Sequence, residues 1–173
     1  FERKERDFYP TPHAAVLPLL PHLPDALIYD EPCAGNGSLI EALNQYDHRC
    51  WLASDIQPPQ QGLRHCLQTI ATRDALDICC TEAEMFITNP PWKWETLNNL
   101  IPHLMGIAPT WLLLNADVMH NRRMAKHMKY CGKVVSVGRV SWMQNKQTGY
   151  ENCAWFLFNK DHRGFTRFVC RES

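Results

Sequence analysis

Residues 26–46 read ALIYDEPCAGNGSLIEALNQY, and this stretch decides the fold. Residues 26–32 form a short apolar run ending in polar residues, as a strand of a sheet would. Residues 38–46 place Leu39, Ile40 and Leu43 on one face of a helix. Between them, Gly35 and Gly37 stand in a turn that runs from Glu31 to Ser38. Glycines at such a junction let the backbone approach a ligand closely. In open α/β sheets that turn lies at the carboxyl edge, where ligands bind.

Outward from this unit the alternation continues. Residues 50–55 predict a second strand, 62–66 a short helix and 67–72 a third strand. Met85–Thr88 predicts a short buried strand, ended by Pro90 and Pro91. Residues 94–105 predict a helix whose end Pro102 weakens. Thr110–Asn115 (TWLLLN) is an apolar strand. Residues 120–130 predict a basic helix, with Gly132 as its C-cap. Residues 134–142 and 154–158 predict two strands joined as a hairpin. The expected fold class is α/β: an open, mostly parallel seven-stranded sheet with a C-terminal β-hairpin and helices on both faces.

The 173 residues fit one domain, spanning 1–173, and 45% are hydrophobic, enough for a substantial core. No apolar run approaches membrane-spanning length. The opening FERKERDFYPTP has no secretory apolar segment, so a cytoplasmic protein is expected. The eight cysteines include no C-x-x-C pair and no zinc-like spacing; reduced thiols and no metal are expected. The charges divide unevenly. Residues 1–88 hold 6 Lys/Arg and 13 Asp/Glu, whereas residues 89–173 hold 12 and 5. A basic half suits an anionic partner, although solvated surface charge would give the same count.

The glycine turn has no lysine of the nucleoside-triphosphate type, and the third glycine of a dinucleotide fingerprint is missing. Asp55 closes the second strand, where a carboxylate accepts from ribose hydroxyls. Asp74 follows the third strand and is placed for an adenine amine. A phosphate-free, positively charged nucleoside fits this acidic half, and S-adenosylmethionine is such a molecule. A structural turn with ordinary surface acids is the alternative.

The fourth strand ends in FITNPPW, residues 86–92. The side-chain carbonyl of Asn89 and the backbone carbonyl of Pro90 are two acceptors side by side. They suit an exocyclic amine with two hydrogens, whose lone pair would then turn towards a methyl donor. Trp92 offers a flat face for a ring. A strand-ending turn with a core tryptophan is the plainer reading of these residues.

In chain order, DFYPTP, EPCAGNG, SDI and NPPW resemble the class I S-adenosylmethionine-dependent DNA adenine-N6 methyltransferases, in particular the small forms of phages and mobile elements. The resemblance covers nearly the whole chain. It implies a Rossmann-like class I methyltransferase fold, with residues 1–24 as a segment that closes over the cofactor. It implies a catalytic Asn89, Pro90, Pro91 and Trp92, with Trp92 stacked on a flipped-out adenine. It places Tyr9, Thr11, Pro12, Glu31, Cys33, Gly35, Gly37, Asp55, Ile56, Asp74, Ala75 and Asn89 around the cofactor. Cys33 is expected to pack, because a cytosine C5 enzyme would carry its cysteine after the fourth strand. Trp142 is the candidate for the second face of the base, and a core role is as reasonable.

Larger family members carry a separate target-recognition domain; none is expected here, so specificity is expected to come from short loops, a protein partner or a homodimer, or to be low. Arg122, Arg123, Lys126 and Lys129, with Lys146 from the hairpin loop, are the expected nucleic-acid face. DNA is the expected substrate and RNA the alternative. A protein glutamine-N5 methyltransferase and a non-catalytic nucleic-acid-binding module are more distant readings.

Overall fold

The computed structural model describes residues 9–58, 69–142, 149 and 151–171. A short helix α1 (His13–Val16) and a 3-10 segment (Leu17–His22) precede β1 (Ile28–Glu31). The glycine turn then leads into α2 (Ser38–Asn44). β2 (Arg49–Asp55), β3 (Ala71–Thr72) and β4 (Met85–Thr88) follow, then α3 (Trp94–Ile107) and β5 (Thr110–Asn115). A single turn of helix, α4 (Ala125–Met128), precedes β6 (Cys131–Gly138), β7 (Cys153–Phe158) and β8 (Arg167–Val169).

Among the described residues the strands form one sheet in the order β3-β2-β1-β4-β5-β7-β6-β8. β7 runs antiparallel to β5 and β6, and every other pairing is parallel. The expected hairpin is therefore β6–β7.

Alternation along the strands feeds two cores on opposite faces of the sheet. Trp111 and Leu113 of β5, with Val135, Val137 and Trp155, pack against α1 and α2 through Ala15, Val16, Leu39 and Leu43. Leu112 and Leu114, with Val134, Phe156 and Phe158, pack against α3 through Leu97 and Ile101. The Trp155 indole nitrogen also donates to the Ala15 carbonyl at 2.7 Å, which ties the N-terminal segment to β7.

Several expectations need correction. The basic helix over 120–130 is not one element. The chain runs through 3-10 turns at Ala116–His120 and Arg122–Met124 before α4. Asn121 between them is extended, at φ −74° and ψ 124°. Local capping favours the break, since the Asn115 side chain accepts from the Asp117 N–H at 2.8 Å and starts a tight turn. Gly132 is no helix cap. It lies within β6, where an added Cβ would stand 3.1 Å from the His162 ring.

β6 starts earlier than expected and ends at Gly138, whose φ of 81° departs from strand geometry. Among the described residues the sheet has eight strands rather than seven, because the C-terminal tail adds β8 beside β6. β8 is three residues long and mostly exposed, so it carries no alternating signature. Pro102 does not end α3, which continues to Ile107. The expected third strand is seen only as Ala71–Thr72; residues 67–68, like the short helix expected at 62–66, lie outside the described residues. Among the described residues, no helix is long and apolar enough to cross a membrane.

Candidate active site

The turn after β1 is held by backbone and carboxylate contacts. Gly35 and Gly37 take positive φ, at 53° and 81°, a region that favours glycine. The Gly35 N–H donates to Asp55 Oδ2 at 2.8 Å, and the Gln57 N–H donates to Oδ1 at 2.8 Å. Asp55 thus braces the turn from the end of β2, and each oxygen keeps acceptor capacity for another group. Asp74 caps the 3-10 turn Ala75–Asp77, accepting from the Leu76 N–H at 2.9 Å.

These elements line a cleft of about 850 Å³, within the range of small-molecule sites. Of the expected cofactor residues, it gathers Tyr9, Thr11, Glu31, Cys33, Gly35, Asp55, Ile56, Asp74, Ala75 and Asn89. Pro12 and Gly37 are not among its lining residues; Pro12 caps α1 and Gly37 caps α2. The cleft also takes Glu95 and Asn99 from α3, which sequence reading passed over. Their i, i+4 spacing on the helix directly after NPPW was the available signal.

The cleft is electrostatically one-sided. Glu31, Asp55, Asp74 and Glu95 line it, and among the described residues no Lys or Arg does. Glu31 is 1% exposed, and its Oε2 has no hydrogen-bond partner. Burial holds its carboxyl well above the usual carboxylate range, and the Asp55 charge adds to this. The unsatisfied oxygen is placed for a cationic or hydrogen-donating ligand. Burial, with the Asp55 charge next, pushes the Cys33 thiol up to about 12, so it is not a thiolate nucleophile at neutral pH.

Asn89 sits just past β4, which pairs with β1. Its side-chain Nδ2 donates to Thr11 Oγ1 at 3.2 Å. Thr11 is buried and comes from the N-terminal segment. That contact engages one of the two Nδ2 hydrogens and leaves the carbonyl Oδ1 able to accept from a ligand. Trp92 is half-buried, and its indole nitrogen donates to the Leu113 carbonyl at 2.9 Å, fixing the ring relative to β5.

Trp142 meets Trp92 edge-on, with ring centroids 5.6 Å apart and planes at 83°. Tyr9 contacts Trp142 in turn at 6.3 Å. In this arrangement Trp142 borders the Trp92 ring and leaves no slot for a base between the two indoles. Arg122, Arg123 and Lys126 lie outside the cleft and are exposed. Lys146 lies outside the described residues.

No family model matches the chain, and no curated protein matches it. Solved structures do. A candidate RNA methyltransferase from Pyrococcus horikoshii is similar at 12% identity, over 90% of this chain and 87% of that one, with a TM-score of 0.66. The methyltransferase subunit of a type I restriction-modification system from Streptococcus thermophilus is similar at 10% identity, over 94% and 47%, with a TM-score of 0.58. Magnesium protoporphyrin IX methyltransferase from Synechocystis, solved with S-adenosylmethionine bound, is similar at 16% identity, over 84% and 76%, with a TM-score of 0.53. The chain has the Rossmann-like class I methyltransferase fold. The named substrates differ among these structures, so the choice of substrate rests on this chain's own residues.

Proposed function

We propose that this chain transfers a methyl group from S-adenosylmethionine to the N6 amine of adenine in DNA. The observation that carries the reading is the Asn89 amide, held by Thr11 with its carbonyl left over, in the same cleft as the glycine turn.

The cleft suits the cofactor by its donor set. Four carboxylates and no lining cation among the described residues fit a phosphate-free molecule with an ammonium and a sulfonium. Glu31, with its unpartnered oxygen, would hold the amino group. Asp55 would take the ribose hydroxyls and Asp74 the adenine edge. Tyr9, Thr11 and Pro12 would close over them. Bound there, S-adenosylmethionine supplies an electrophilic methyl group on a cationic sulfur.

The chain's own residues then handle the target amine. Asn89 Oδ1 and the Pro90 carbonyl accept its two hydrogens and turn the nitrogen lone pair away from the ring, towards the methyl carbon. Trp92 supports the flipped ring. No general base is required, because N6 becomes strongly acidic once alkylated and sheds its proton to water. The similarity to an RNA methyltransferase keeps RNA as the second reading. Specificity would come from loops, a partner protein or a second copy.

Asn89→Ala tests the mechanism. Transfer should fall by roughly 10²–10³-fold, as when a fixed polar contact to the reacting group is lost, with cofactor still bound. Undiminished transfer would remove Asn89 from the chemistry.

A further inference from the structure

Two cations converge on one indole beside the catalytic turn. Arg123 Cζ lies 5.2 Å from the centroid of the Trp94 ring, and Lys126 Nζ lies 5.6 Å from the same centroid. Both residues are exposed, and among the described residues neither forms an ion pair with a carboxylate. The pair is rigidly based. Met124 and His127, which alternate with the cations, are 2% and 4% exposed. The His127 ring reaches Asn98 Oδ1 on α3 at 3.3 Å. Burial, and then the Lys126 charge, lowers the His127 pKa, so at neutral pH the ring adds no third cation. Trp94 itself packs against the core on the α3 face of the sheet.

A cation over an indole face is attracted by the negative face of the ring. Two on one ring also repel each other, and the arrangement favours an anion that both can reach. Because both cations sit over the ring, Trp94 is their pedestal and not a platform for a base. Trp94 follows Trp92 by two positions, so their backbones are at most about 7 Å apart. The indole that carries the two cations is therefore rooted beside the NPPW turn. The cofactor cleft, by contrast, is lined with carboxylates.

We propose that Trp94, Arg123 and Lys126 form a phosphate clamp, which holds the backbone of a nucleic-acid strand next to the nucleotide being methylated. The proposal rests on the nucleic-acid reading above and adds the surface that fixes the strand. The clamp reads no base, so it positions the strand without setting sequence preference.

The test compares the wild type, the double variant Arg123→Gln/Lys126→Gln, Trp94→Phe and Trp94→Leu. Binding of fluorescent duplex and single-stranded DNA is followed by anisotropy across a salt series. Thermal melting and S-adenosylmethionine affinity serve as folding controls. For the double variant, the slope of log affinity against log salt should become shallower by roughly 1–2, because each phosphate contact contributes about 0.7–0.9. Its affinity at moderate salt should fall at least tenfold, with melting and cofactor affinity unchanged. Trp94→Phe should keep the wild-type slope, and Trp94→Leu should lose part of it with no change in charge. A wild-type slope in the double variant overturns the clamp and leaves the methyltransferase reading standing. A wild type that binds no nucleic acid overturns both.

Discussion

Thr11 and Asn89 meet across 78 positions of chain, where the Asn89 amide nitrogen donates to the Thr11 hydroxyl at 3.2 Å. An asparagine side chain can present either its oxygen or its nitrogen to a ligand. The Thr11 hydroxyl engages one amide hydrogen, and so the N-terminal segment helps to hold the Asn89 side chain as well as lining the cleft.

Thr11→Val removes the hydroxyl and keeps the shape. Transfer at saturating cofactor should fall about tenfold, equivalent to 1.4 kcal/mol, with DNA affinity retained. Thr11→Ser should restore it. A valine variant with full kcat would make Thr11 a packing residue alone.

Glu31 links stability to pH in an unusual direction. Its folded-state pKa is raised well above the ordinary 4.5. Between 4.5 and that raised value, the folded protein holds a proton that the unfolded chain has lost. The contribution is therefore fully present below about 4.5 and is lost as pH rises through the folded pKa. Glu31→Gln should raise the Tm of the ligand-free protein at neutral pH yet weaken S-adenosylmethionine binding. Calorimetry on both proteins checks this. Tighter cofactor binding by the glutamine variant would contradict the assignment.

Asp55→Ala removes the acceptor of two backbone N–H groups. The site is partly exposed, so a stability loss of about 1–2 kcal/mol is expected, below that of a fully buried charged contact. Cofactor affinity should fall more steeply than stability, because the glycine turn loses its brace. Urea unfolding alongside a binding titration separates the two.

Cys33 should resist alkylation at neutral pH, because its thiol is pushed up to about 12. Exposed Cys79 and Cys170 should label ahead of it, as read by peptide mass spectrometry after iodoacetamide. Early labelling of Cys33 would show a thiolate that this environment does not support.

Much of this was legible in the chain because period and punctuation agree. The 26–46 strand, glycine turn and helix form as read, and the prolines stop β4 at Asn89. The basic segment misled because its buried residues, Met124 and His127, are helix-spaced while Asn115 and Asn121 impose turns. β8 escaped notice because a three-residue, exposed edge strand has no hydrophobic pattern. Within the site, the acceptors and carboxylates are readable as residue types. The Thr11–Asn89 contact, the unsatisfied Glu31 oxygen and the Trp94 cation pair are long-range facts that no local pattern encodes.

The central claim is methyl transfer to adenine N6, and isotope tracing tests it most directly. The protein is incubated with methyl-deuterated S-adenosylmethionine and unmethylated duplex DNA, single-stranded DNA or RNA, then each is digested to nucleosides for mass spectrometry. The account predicts deuterated N6-methyldeoxyadenosine from DNA, lost in Asn89→Ala. Label on any other atom, or no label in any nucleic acid while the cofactor is bound, would contradict it.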